Sequence, residues 1–278
     1  GDTFTIYAQS TAEASMGKLT ACLPELSDHE KSVWPVAGLS GIGAGVRVWA
    51  ANDNFHENEG TIIINGGNIR ARGQYGSSAI GGSHQDRNVS SDGDTPGNLR
   101  QGGSITINGG TVKATAKGEG FGIGGARIYN TGAMTVTING GEIEATANRN
   151  NAAIGDKGNG KSGVTINGGV IHAVGKGGAA GIGSKGDIRI TGGEISAFAE
   201  GGGAAIGSIG GVDCKSITIN GNAIKSISSK DGACIGGAAG GSVGSITISD
   251  AELPLLSSNK ILIGWDADSS GGTLTIRN

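Results

Sequence analysis

The chain has 278 residues, a net charge of −3, 16% charged residues and 4% aromatic residues. It lacks the basic excess that nucleic acid or an anionic membrane surface would attract, and its 57 glycines come with only four prolines and no period of three, which excludes a collagen-like rod. A core of large rings is excluded too, so small and β-branched side chains must stack in close layers.

In chain order, the first alternating segment is Phe4-Thr5-Ile6. Thr11 to Val36 follows, about twenty residues more than the later pattern needs, and is expected to be an inserted cap over the first open edge. Ile42-Gly43 opens a variable segment carrying Arg47, Trp49, Asp53, Phe55, His56 and Glu57. From there a fixed interval recurs. Asn65 to Ile80, Asn108 to Ile123, Asn139 to Ile154, Asn167 to Ile182, Thr191 to Ile206 and Asn220 to Ile235 are each 15 residues apart. The return from each Ile to the next turn varies: 28 residues, then 16, 13, 9, 14 and 14. A repeat this short, with one corner free to vary, predicts a solenoid.

Each repeat divides into three extended pieces. Ser104-Ile105-Thr106-Ile107-Asn108 and Thr135-Val136-Thr137-Ile138-Asn139 alternate with period two, which puts Ile and Val on one face and Thr, Ser and Asn on the other. After the Asn-Gly turn come pieces such as Glu142-Ile143-Glu144-Ala145, and then Ala152-Ala153-Ile154-Gly155. None is long enough to stand alone, so each needs parallel neighbours one turn away. The predicted fold is all-β: a right-handed parallel β-helix of about eight three-sided coils, forming one domain over residues 1–278. Asn65, Asn108, Asn139, Asn167 and Asn220 should stack as an amide ladder, interrupted by the hydroxyls of Thr191 and Ser249. The abrupt start at Gly1 and the strand-like end are expected of a piece of a longer protein.

Three outer faces follow. The first carries a Thr column: Thr5, Thr106, Thr137, Thr165, Thr218, Thr247 and Thr275. Such a lattice resembles an ice-binding surface, but Asp187 and Arg189 break it, and strand propensity accounts for the threonines. The second carries Arg70, Lys113, Glu144, His172, Ser196 and Lys225 in one column and reads as a solvated face. On the third, alternation around each Ile turns Ala79, Gly122, Ala153, Gly181, Ala205 and Cys234 outward, predicting a bare strip open to a flat ligand.

Variable loops should wall that strip. They bring His84, Asp86 and Arg87 from the long loop over residues 82–103, then Arg127 and Tyr129, Asp156 and Trp265, with Trp49 from the first coil. Aromatic faces, carboxylates and guanidinium groups are the means of holding a sugar, so these eight are the predicted ligand-binding residues. Asp86 and Asp156, two coils apart, are a candidate pair for glycoside hydrolysis, although no spacing forces the separation this needs. Asp92-Gly-Asp94 and Asp266-Ala-Asp268 begin like calcium loops but lack the later ligands. Cys22, Cys214 and Cys234 share no repeat position and imply no disulfide framework or metal set. No metal and no cofactor are expected, nor is membrane insertion, since no apolar run reaches about 18 residues.

Phe4-Thr-Ile-Tyr-Ala-Gln-Ser10, the Ile-Thr-Ile-Asn-Gly-Gly turns and the Ala-Ala-Ile-Gly pieces resemble the glycine-rich repeat regions of large surface and secreted proteins of gut-dwelling Gram-positive bacteria. The resemblance covers most of the chain and implies an extracellular or cell-surface module binding polysaccharides or host or bacterial glycans. Parallel β-helix glycoside hydrolases and polysaccharide lyases share the architecture and are the alternative, with a passive spacer as the third reading. No catalytic motif of those enzymes matches residue by residue, and fold alone does not carry their activity over.

Overall fold

The computed structural model describes residues 3–6, 18–22, 42–43, 60–74, 76–82, 103–125, 133–158, 162–221, 223–251, 253, 256–258, 261–265 and 272–277. The chain winds as a right-handed parallel β-helix with three sheets. The first has nine strands, from Thr3–Ile6 to Thr273–Arg277; the second and third have eight each. Every strand pairs in parallel with its equivalent in the next coil.

The register in the first sheet follows the predicted columns. Thr5, Ile63, Thr106, Thr137, Thr165, Arg189, Thr218, Thr247 and Thr275 are successive partners. Their inward neighbours, Ile107, Ile138, Ile166, Ile190 and Ile219, are fully buried. At the corner that follows, the amide ladder forms. Asn108 Nδ2 donates to Asn65 Oδ1 at 2.7 Å, Asn139 to Asn108 at 2.8 Å, and Asn167 to Asn139 at 2.9 Å. Thr191 and Ser249 join this column rather than only interrupting it: each hydroxyl donates to the amide oxygen of the coil before, Asn167 and Asn220 respectively. Gly67, Gly110, Gly141, Gly169 and Gly193, two residues after each ladder position, all have φ between 92° and 99°, which is why the turn carries glycine there.

Two expectations need correction. Within the segment 11–36, Lys18–Cys22 is a regular strand of the second sheet, paired with Asn68–Arg72. This piece therefore belongs to the coil rather than to an insertion; the rest of that segment lies outside the described residues. In the second face, Ser196 pairs with Ser226 and not with Lys225, because the register shifts after Ile195. The bulged Lys225 leaves the column, and the following corner is one residue shorter, so the 15-residue interval from Asn220 to Ile235 survives.

The third face differs most. Alternation turns Ala79, Ala153, Ala205 and Cys234 outward, yet all are fully buried in the main core beside Ile80, Ile154, Ile206 and Ile235. Consecutive residues face inward here because the third sheet packs almost against the second. A Cβ on Gly122 would sit 3.1 Å from the Thr146 backbone nitrogen and oxygen, and one on Gly181 equally close to those of Phe198. Ala, Gly or Cys fills the position in the inner coils, while in the last coil Leu262 takes it at the open end and is exposed. Outside the strip, Phe121, Ala152, Ala180 and Ile209 form a second buried cluster with Val212 against it. The turn from Ile209 to Val212 closes on itself, the Val212 N–H donating to the Ile209 carbonyl at 2.7 Å, and lies back over the sheet. The strip is an interior surface, and no ligand reaches it there.

Candidate functional site

Of the eight predicted ligand-binding residues, Trp49, His84, Asp86, Arg87, Arg127 and Tyr129 lie outside the described residues. So do Asp92, Asp94, Asp266 and Asp268. Asp156 and Trp265 are described, and both follow an Ile-Gly step at the same corner. They are four coils apart, about 19 Å at roughly 4.8 Å per coil, so the structure does not bring them together.

Asp156 is 1% exposed. Its Oδ2 accepts the Met134 N–H at 2.9 Å, and its Oδ1 has no partner in good hydrogen-bonding geometry. Burial pushes its pKa up to about 7, against the opposing pull of backbone N–H groups of Met134, Gly158 and Lys157 and of the Lys157 charge. Such a carboxyl has the right proton affinity for a general acid, but it is enclosed and reaches no substrate. It ties the end of the third-sheet strand to the start of the first-sheet strand of the same coil. Trp265 packs half-buried against the main core, and its indole N–H donates to the Val243 carbonyl. Both side chains are engaged by the frame.

The thiols are likewise internal. Cys214 is buried and donates to the Gly186 and Ser216 carbonyls, and burial pushes its pKa up to about 12. Cys234 is shifted upward by the same cause. Among the described residues no group of three His, Cys, Asp or Glu could hold a metal ion, and no helix is long and apolar enough to cross a membrane.

Among the described residues an open groove lies on the second face, in its C-terminal half. A groove of about 540 Å³ runs over the coils from His172 to Ser257. Its floor is a register column: Val174 pairs with Phe198, Phe198 with Ser228, and Ser228 with Ser257. Each of these is an outward position of its strand. One wall begins at His172, whose ring meets Phe198 with centroids 5.2 Å apart and planes at 55°. The other wall carries Glu200 and Lys230, one coil apart, both exposed. Their strands are joined there by the Glu200 N–H to the Gly175 carbonyl at 2.8 Å and the Lys230 N–H to Ala199 at 3.0 Å. Below them Ser229 closes the corner, donating to the Gly203 carbonyl at 2.8 Å and accepting the Gly232 N–H.

The arrangement offers a tilted aromatic pair, two serine hydroxyls along the floor, one carboxylate and one ammonium, all mounted on paired strands. Spacing alone leaves His172 without a partner and gives Phe198 no role. A signal is nonetheless present: in Ala197-Phe198-Ala199 a large ring occupies an outward position that Thr115, Thr146 and Ser228 fill in other coils.

Four segments, residues 62–84, 105–127, 136–159 and 164–187, match the family model described as Beta helix repeat. Each match starts within a first-sheet strand and runs beyond the third-sheet strand of the same coil. No curated protein and no solved structure matches the chain. The chain contains a parallel β-helix repeat domain.

Proposed function

We propose that this chain is a glycan-binding module of an extracellular or cell-surface protein and that its sugar site is the second-face groove. One observation carries the reading: the His172–Phe198 ring pair opens onto a floor of serine hydroxyls with Glu200 and Lys230 alongside. Sugar C–H faces pack on aromatic rings, while their hydroxyls need carboxylate, ammonium and hydroxyl partners. A groove of this size lies in the range of ligand sites, and the paired strands beneath hold its floor residues in register, so little backbone ordering opposes binding.

A glycan array with the intact chain, repeated with Phe198→Ala, tests the proposal. The expected result is binding to a subset of glycans, lost in Phe198→Ala, with the melting temperature nearly unchanged. Retention of binding in Phe198→Ala with loss in Trp49→Ala or Arg87→Ala would move the site to the variable loops. No binding to any glycan would leave the spacer role.

A further inference from the structure

We propose that the groove takes a linear glycan with an anionic group on alternate sugars, its chain parallel to the helix axis and one sugar on each coil. This rests on the glycan-binding reading of the same groove.

The floor sets the direction. Val174, Phe198, Ser228 and Ser257 come from successive coils in strict register, at about 4.8 Å per step. That step is close to the length of one sugar in an extended polymer, so a chain along the axis meets an equivalent floor position at each residue. A chain lying across the coils would meet a single floor residue and a single wall charge.

The wall sets the charge pattern. Lys176, Glu200 and Lys230 occupy one column, shown by the ladder bonds from Lys176 N to Ala147 O, Glu200 N to Gly175 O and Lys230 N to Ala199 O. Elsewhere on this molecule, opposite charges one coil apart close on each other. Lys113 reaches Glu144 at 2.6 Å and Lys215 reaches Asp187 at 2.8 Å. Glu200 does neither: among the described residues it forms no ion pair with Lys176 or Lys230, and all three side chains are exposed. The two ammonium groups are then two coils apart, about 10 Å, which is the spacing of every second sugar. Glu200 between them accepts a hydroxyl or amide N–H of the intervening neutral sugar. A carboxylate or a sulfate ester presents the same chemistry to the lysines.

Titration calorimetry on the intact chain tests this with hyaluronan oligosaccharides of two, four and six sugars, the carboxyl-reduced hexasaccharide, and chondroitin 6-sulfate beside its desulfated form. Affinity should rise with length until the four-coil floor is filled and then level off. Lys176→Gln and Lys230→Gln should each weaken binding about fivefold and flatten its salt dependence. Binding of the desulfated and hyaluronan chains assigns the group as a carboxylate, and binding of the sulfated chain alone assigns it as a sulfate ester. Carboxyl-reduced or other neutral chains binding as tightly as acidic ones, with both lysine variants unaffected, would overturn the anionic assignment while leaving glycan binding intact. Failure of every oligosaccharide, neutral and acidic, would overturn both.

Discussion

The third face and the C-terminal half of the second face exchange the roles that their side chains suggest. By composition the third face is bare, a run of alanine and glycine, yet it is packed interior. By composition the second face is ordinary solvated surface, with mixed charges and a solitary histidine, yet the open groove forms there. Small side chains signal close approach of backbone to backbone as readily as access for a ligand. At Gly122 and Gly181 the approaching backbone is the protein's own, first the carbonyl of Ala153 or Ala205 in the next coil and then the second sheet. Charges one coil apart can close on each other, as Lys113 and Glu144 do, or stay open to a ligand; Lys176, Glu200 and Lys230 sit in the same kind of column and form no ion pair with one another among the described residues.

The sharpest way to break the contrast is on the third face. Gly155 has φ 151°, and a Cβ there would overlap the Gly183 carbonyl oxygen. Gly155→Ala should cost more than about 4 kcal/mol and show as loss of the cooperative thermal transition. An alanine tolerated without loss of stability would mean that the strip has room, and so that it is a surface after all.

Next in size is the buried carboxyl at the edge of that face. Because Asp156 binds its proton more tightly folded than unfolded, its contribution is fully present below about pH 3.8, is lost as pH rises, and is gone above about pH 7. From this group alone stability should fall by up to about 4 kcal/mol across that window. Urea titrations at pH 4.5 and 8 should show the loss in the parent chain and a flatter response in Asp156→Asn. An equal slope in both would show that the carboxyl is hydrated.

The ladder corner joins the first face to the second and should respond moderately. Asn139 donates to Asn108 and accepts from Asn167, so Asn139→Ala should lower stability by about 1–2 kcal/mol, measured by chemical denaturation. The smallest effect belongs to the paired half of the second face. The Lys113–Glu144 pair is about half exposed, and Lys113→Ala should change stability by no more than about 0.5 kcal/mol and leave glycan binding unchanged. A binding loss there would extend the functional surface into the N-terminal coils and erase the difference between the halves.

Much of this frame is legible in the sequence, because a coil repeat converts spacing directly into register. The Thr column, the inward Ile column and the amide ladder all follow from the 15-residue interval and the period of two. The burial of the third face does not. Period-two alternation assumes a strand with one free side, and it fails where Ala153 and Ile154 both turn inward and Ile209 folds back over Ala152 and Ala180. The groove is half legible. Its columns follow from the repeat, but the meeting of His172 and Phe198 depends on two rings in adjacent outward columns tilting toward each other, and the unpaired state of Glu200 depends on side-chain rotamers. Neither is encoded in spacing. The bulge at Lys225 is hidden because the next corner compensates for it.

Hydrogen exchange with and without a bound glycan is the most direct test of recognition at the second face. Added protection is expected in residues 172–176, 196–200 and 226–230, with no change in the already buried Ile-Gly strands of the third face and loss of the protection in Phe198→Ala. Protection confined to the loops that follow the Ile-Gly steps, with the second face unchanged, would contradict it.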